Sequence, residues 1–285
     1  MIRTSRQLKA LVRNMSKGDS AKAQIIIRNY VMERFLERLS LSQYRDNLIL
    51  KGGTLVSAMV GLDNRSTMDV DATVRNLPLS VESARKIVRE ITSIPVEDGM
   101  TFEIKNVAVI MDEADYSGVR VMLDTMLETM RTPLKIDFST GDIITPREVA
   151  YSFQLLFEDR TISILAYNLE TVLAEKLETL LARGTANTRM RDFYDIHALE
   201  TTQTRNIDPA ILREAFANTS RKRGSSAMAN DAALILEEIQ TSPEMIALWK
   251  SYQNRFDYAA DIGWDDVMES VRALCRFAVE EHKDS

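Results

Sequence analysis

Cysteine is almost missing from this chain. Cys275 stands alone among 285 residues, so an internal disulfide framework is excluded. Histidine is nearly as scarce, with only His197 and His282. A histidine-rich metal centre is therefore a poor expectation, and any bound metal should take oxygen ligands. Long apolar runs are missing too. Nothing approaches the roughly 18 residues that cross a bilayer, and residues 1–20, MIRTSRQLKALVRNMSKGDS, lack the apolar core of a signal peptide. These absences point away from membranes and toward the cytoplasm. There is no internal repeat and no low-complexity tract. A net charge of −6 speaks against a broad grip on nucleic acid, yet leaves room for a local basic surface. What remains is ordinary for a globular protein, 45% hydrophobic and 27% charged, with length for one large domain or two moderate ones.

The most informative stretch is 51–71, KGGTLVSAMVGLDNRSTMDVD. Leu48-Ile49-Leu50 before it reads as a short buried strand. Gly52-Gly53-Thr54 then opens an apolar segment, residues 55–60, that reads as a helix. Met68-Asp69-Val70-Asp71 reads as the next strand. Acids at i and i+2 on a strand fall on one face, while Val70 turns inward. Two adjacent carboxylates repel, and one is driven toward its neutral form unless a cation stands between them. Hard divalent cations such as Mg²⁺ suit that position and share their shell with phosphates. Glycines let backbone approach a ligand closely, and the N–H groups opening the helix can bind an anion. Taken singly, a DxD is common and a GG pair is usually a turn. Together they are equipment for metal-assisted phosphoryl or nucleotidyl transfer.

Elsewhere the pattern supports an α+β chain in two parts, 1–167 and 168–285. Residues 3–17 form a basic amphipathic helix. Arg3, Arg6, Lys9, Arg13 and Lys17 lie on one side; Leu8, Leu11, Val12 and Met15 lie on the other. Such a stripe is a solvated face or a contact for RNA or a partner. Residues 21–39 form a long apolar helix suited to covering a sheet, and Ser80 caps a helix running to about residue 92. Residues 102–111 alternate as a strand. Residues 119–130 fit strand and helix alike; a strand is preferred, with 134–138 as its hairpin partner across Thr132-Pro133. In LKIDFSTGD, residues 134–142, Leu134, Ile136 and Phe138 face one way and Lys135, Asp137 and Ser139 the other. Asp137 is either a solvent-facing acid or a third metal ligand. Gly141-Asp142 reads as a turn first and a site second. Strands follow over 153–157 and 161–167. From residue 168 the pattern is helical: about 169–183, 190–201, 208–218, 228–240, 243–257 and 264–280.

Two helical motifs carry charge. Lys176 sits mid-helix in ETVLAEKLETLLAR, residues 170–183. It is either a snorkelling lysine or a point charge for phosphates. In RMRDFYDI, residues 189–196, Asp192 and Asp195 share a helix face. Alone they read as a cap or dipole partner and an ion pair, with Arg191 able to meet either acid.

In this order, GGT, then RxTxDxD (Arg65, Thr67, Asp69, Asp71), IDFSTGD, AEKLETLLAR and RDFYDI resemble the AbiEii-type nucleotidyltransferase toxins of type IV toxin–antitoxin and phage abortive-infection systems. The matched motifs span residues 51–199, about half the chain. The resemblance implies a nucleotidyltransferase-type mixed sheet flanked by helices, followed by an all-helical C-terminal domain, with the active site in a cleft. It implies Gly53 and Thr54 on the triphosphate, with Thr54 standing where many superfamily members have serine. Lys51, Gly52, Arg65 and Asp195 join them on the nucleotide. Asp69 and Asp71 are implied as Mg²⁺ ligands, and Asp137 as the third carboxylate, a position less strict in this branch. Lys176 and Asp192 would be catalytic with Asp69 and Asp71. The implied substrates are an NTP and an acceptor, the tRNA 3′ end in studied relatives, so that growth stops. A cognate antitoxin is the implied partner, one that need not bind the toxin. A basic rim of Arg183, Arg189, Arg191 and Arg221-Lys222-Arg223 could steer RNA, although the last cluster also reads as a solvated loop. The alternatives are a small-molecule nucleotidyltransferase of the antibiotic-modifying sort, and an NTP-binding module that acts by sequestering a partner.

Overall fold

The computed structural model describes residues 1–111 and 117–279. His282 and Glu280, the expected end of the last helix, lie outside the described residues. The chain divides into two compact units.

The first unit comprises Met1–Ala58, Ser66–Asp142 and Val149–Ala166. It carries α1 (Ser5–Ser16), α2 (Ser20–Leu41), β1 (Leu48–Lys51), the start of α3 (Gly52–Val60), β2 (Asp69–Val74), α4 (Val81–Thr92), β3 (Met100–Met111), β4 (Ser117–Leu127), β5 (Met130–Thr140), β6 (Val149–Gln154) and β7 (Thr161–Ala166). The strands form one sheet in the order β3-β4-β5-β2-β1-β7-β6. It is mixed: β2 runs parallel to β5 and β1 to β7, while the other pairs are antiparallel.

Strand alternation sorts its two faces. Val70, Ala72 and Val74 of β2 are buried, as are Leu134, Ile136 and Phe138 of β5 and Val119, Val121 and Leu123 of β4. The register lines them up, Val121–Ile136–Val70 in one row and Val119–Phe138–Ala72–Leu50 in the next. Burying each such side chain is worth roughly 1.5–3 kcal/mol. Helix α2 packs against β5 and β7, and α4 against β3 and β4. The opposite face of β2 and β5 is left for Asp69, Asp71, Lys135 and Asp137.

Caps set the helix ends. Thr4 and Ser80 make capping boxes for α1 and α4, and the Asp19 carboxylate accepts from the Ala21 and Lys22 amides at the start of α2. The ambiguous 119–130 segment is strand, in β4 as far as Leu127. Its turn falls earlier than expected, at Glu128, which adopts the left-handed φ of 54°. Thr132 and Pro133 lie inside β5, opposite Thr125 and Asp124, because the Thr125 hydroxyl already holds the Thr132 carbonyl at 2.6 Å. Phe157, expected in a strand, has φ 64° and belongs to the turn before β7. On α1, Leu8 and Val12 are buried as expected but Leu11 is 37% exposed, so the apolar stripe is narrower than its wheel suggests.

The second unit comprises Met59–Arg65, Ile143–Glu148 and the described chain from Tyr167 on. Its helices are α5 (Leu169–Arg183), α6 (Met190–Gln203), α7 (Pro209–Lys222), α8 (Met228–Thr241), α9 (Pro243–Arg255) and α10 (Trp264–Val279). Asn168, Asp208 and Ser242 cap α5, α7 and α9, the last two with proline in the first turn. Helix α5 packs on α6 and α7, and α10 on α6, α7 and α8. The short segment Ile143–Glu148 is tied in by polar bonds. Asn168 Nδ2 donates to the Thr145 carbonyl at 2.6 Å, and the Thr145 amide donates to Thr171 Oγ1 at 3.0 Å. Among the described residues no helix is long and apolar enough to cross a membrane.

Charge is also buried under the first unit's helices. Arg38 of α2 forks onto Asp98 at 2.6 and 2.8 Å, and Asp98 also accepts from the Met100 amide at 2.9 Å. Both side chains are almost fully buried. Asp98→Ala strands the Arg38 guanidinium without its counter-ion. The expected loss is about 3–5 kcal/mol, read as a lower urea midpoint of the purified chain.

Candidate active site

The site is built where β1 gives way to α3. Gly52 adopts φ +64°, and a Cβ there would sit 2.8 Å from Asp71 Cβ and Cγ. Only glycine lets the backbone turn this tightly against the acid. The turn aims the Gly53 amide at Asp71 Oδ2, 3.3 Å away. The Thr54 hydroxyl donates to the Asp69 carbonyl at 2.5 Å. The GGT turn and the DxD strand are thus locked to each other by two bonds.

The register then gathers charge from four strands. Arg120 of β4, Asp137 of β5, Asp71 of β2 and Lys51 of β1 form one cross-strand row, and Lys135 stands opposite Asp69 in the next. The order is cation, acid, acid, cation. Lys135 Nζ lies 2.6 Å from Asp69 Oδ2. Arg120 grips Asp137 with two bonds, at 2.7 and 2.8 Å. Lys51 Nζ reaches past the row to Asp142 Oδ2 at 2.8 Å, where Thr73 and Ser139 also donate, at 2.5 and 2.7 Å.

Two carboxylates respond in opposite ways. Burial alone would raise Asp142, yet Lys51 and the two hydroxyls outweigh it and hold it down at about 2. Burial also raises Asp71. With Asp137 and Asp69 as like-charged neighbours, it overcomes Lys51 and the Gly53 amide and pushes Asp71 up to about 6.

Asp69, Asp71 and Asp137 present hard oxygen donors on one face, the chemistry that Mg²⁺ takes. Among the described residues no three His, Cys, Asp or Glu side chains converge into a ready-made metal cage. A site completed by phosphates and water around two carboxylates fits this better than an all-protein cage. Asp69 and Asp71 suit it. Asp137, on the same face, is gripped by Arg120.

A second charged group lies within the helical unit. Lys176 of α5 does not snorkel. It is largely buried and donates to Asp192 at 2.9 Å and Asp195 at 2.7 Å. Arg65 meets Asp195 through Nε at 2.5 Å and Nη2 at 3.2 Å, with both side chains essentially inaccessible. Burial would lower Lys176, but the two acids hold it above its ordinary value. Burial would raise Asp195, but Lys176 and Arg65 hold it below. Asp192 also meets Arg189 at 3.1 Å, so Arg189 rather than Arg191 is its arginine partner. The Tyr194 hydroxyl bonds the Asn64 carbonyl, fixing the segment that carries Arg65.

The expected basic rim is uneven. Arg191, Arg221 and Lys222 are exposed, while Arg183 is half-buried. Arg223 is committed to Glu178 at 2.5 Å, and 221–223 cap the end of α7 rather than forming a loop. Two residues on this face escaped the sequence reading as site members, Lys135 and Arg120, and a third, Asp142, has a site only as its second reading. Lys135 was already on the Asp137 face by alternation. Asp142 reads as a turn residue before a site residue, since its role depends on the pairing of β1 with β2 and of β2 with β5.

Comparison with known proteins adds a family. The model of the family described as "Nucleotidyl transferase AbiEii toxin, Type IV TA system" matches residues 34–270. A crystal structure from H. pylori, described as that of a candidate nucleotidyltransferase, is similar at 15% identity with a TM-score of 0.48, covering 91% of this chain and 99% of that one. The crystal structure of JHP933 from Helicobacter pylori is similar at 14% identity with a TM-score of 0.48, covering 89% and 92%. No curated protein matches.

The raised Asp71 makes a stability test. Its folded value lies above the ordinary 3.8, so ionisation costs stability as pH rises between about 4 and 6, and the cost is complete above that. In chelator-treated buffer at pH 7.5, Asp71→Asn is expected to stabilise the chain by about 1–2 kcal/mol. The gain should vanish below about pH 4, as read from urea unfolding across the range.

Proposed function

The chain belongs to the nucleotidyl transferase AbiEii toxin family of type IV toxin–antitoxin systems, and from that premise we infer that it transfers a nucleotide from an NTP to the 3′ end of an acceptor tRNA and so arrests growth in the cytoplasm. The observation that carries the reading is the pair Asp69 and Asp71 on one strand face, with the Gly53 amide and the GGT turn directly beside them.

In this reading the opening turn of α3, with Lys51, Gly52, Gly53 and Thr54, receives the triphosphate through backbone amides and a flanking ammonium. The acceptor hydroxyl attacks the α-phosphorus and gives up its proton as pyrophosphate departs. Asp69 and Asp71 would hold Mg²⁺, which would supply charge neutralisation at the phosphates. Asp137, oriented by Arg120, lines the same face as a third carboxylate. Lys176, proposed as a catalytic residue, spends two of its three N–H bonds on Asp192 and Asp195. Asp192 and Asp195 keep that ammonium charged and fixed, and Arg65 keeps Asp195 ionised. Arg191, Arg221 and Lys222 are the exposed cations offered to an RNA backbone. An antitoxin of the same system is the implied partner.

The test is incubation with NTPs labelled at the α-phosphate, Mg²⁺ and total tRNA. Label is expected on the tRNA 3′ end. Label on a small molecule overturns the RNA acceptor, and no label at all overturns transfer. The Asp69→Ala, Asp71→Ala double variant is expected to lose about a thousandfold or more in labelling rate and to stop arresting growth when expressed.

A further inference from the structure

Lys135 has no part in the reading above, yet it makes the shortest ion pair on the acid face. Its ammonium lies 2.6 Å from Asp69 Oδ2, with the two side chains about equally exposed, at 29% and 33%. The contact is built by the fold. β2 and β5 run parallel, and the register puts Asp69 directly beside Lys135 and Asp71 directly beside Asp137. Neighbouring side chains on one face of paired strands lie within reach of each other. On the far side Lys135 faces Met122 of β4, an apolar and 44% exposed residue that offers it no charge. The Asp69 carboxylate is thus the acid that the sheet presents to this lysine.

The carboxylate that Lys135 holds is one that a divalent cation needs. Both cannot have the same oxygen at full strength. We propose that Lys135 is the resident counter-ion of Asp69: it holds the carboxylate in place while no metal is bound, competes with the metal for it, and passes to a phosphate oxygen of the incoming NTP when the metal takes its place. This deepens the transferase reading and rests on it.

The geometry suits an exchange rather than a fixed strut. Lysine is a point charge on a flexible stem, whereas the guanidinium of Arg120 is forked rigidly onto Asp137. The pair is partly in water, so opening it costs little. A displaced ammonium remains on the sheet face where the triphosphate is expected. The device also makes loading ordered. Metal alone must displace the lysine with nothing to receive it, while metal arriving with a nucleotide gives the lysine a phosphate to bind.

The test is Mn²⁺ binding by calorimetry or electron paramagnetic resonance, with and without a non-hydrolysable NTP, on the full chain and on Lys135→Met. The variant is expected to bind Mn²⁺ alone about fivefold more tightly, because the competitor is gone. It should bind the Mn²⁺–nucleotide complex about tenfold more weakly, because a charge-assisted bond to phosphate is lost. A purely structural lysine would move both affinities the same way, downward. Lys135→Arg should restore most of the nucleotide affinity, and Lys135→Gln serves as a polar second replacement should the methionine variant fold poorly. Mn²⁺ affinity that is unchanged or weaker in folded Lys135→Met and Lys135→Gln overturns this proposal alone. A wild-type chain that takes up no Mn²⁺ in the presence of nucleotide overturns it together with the assignment of Asp69 and Asp71.

Discussion

Like charges brought onto one strand face are the constraint around which this sheet is arranged. Asp69 and Asp71 stand two residues apart on β2, and the parallel partner β5 adds Asp137 beside Asp71. Such a row is unfavourable by itself. The sheet answers it with cations at the flanks, Lys51 from β1, Lys135 from β5 and Arg120 from β4. The compensation is incomplete at Asp71, where burial first and the charges of Asp137 and Asp69 after it push the carboxyl up to about 6. The instability is local and directed, as expected where function and stability pull apart.

The helical unit solves a related problem by complete pairing. Lys176, Asp192, Asp195 and Arg65 are mostly out of water, and each has an opposite charge within bonding distance. Lys176 and Asp195 each have two opposite charges, and breaking such a buried network costs more than its pairs contribute. Lys176 is therefore held in one position and one protonation state by its neighbours. A freely snorkelling lysine on the same helix would have neither property.

Much of this was legible in the sequence because it depends on local periodicity. The i, i+2 spacing of Asp69 and Asp71, the alternation of Leu134, Ile136 and Phe138 against Lys135 and Asp137, and the GG break before an apolar helix all describe neighbours along the chain. The resemblance placed the rest of the motif residues in order. What local pattern could not supply was pairing across distance. That Arg120 lands on Asp137, that Arg65 reaches Asp195 130 residues away, and that Lys51 serves Asp142 follow from strand register and helix packing. The misplaced hairpin turn has the same origin. A proline suggested the break, but the pairing of Thr125 with Thr132 had already begun before it.

Asp142 closes the polar face of the sheet at the point where β5 ends. Its carboxylate draws Lys51 of β1, Thr73 of β2 and Ser139 of β5 onto one oxygen, Oδ2, so three strands are riveted by a single side chain. With its proton affinity held at about 2, the rivet contributes fully above the ordinary carboxylate value and lets go only as pH falls through about 2. Acid that had already neutralised Asp71 would leave this knot intact.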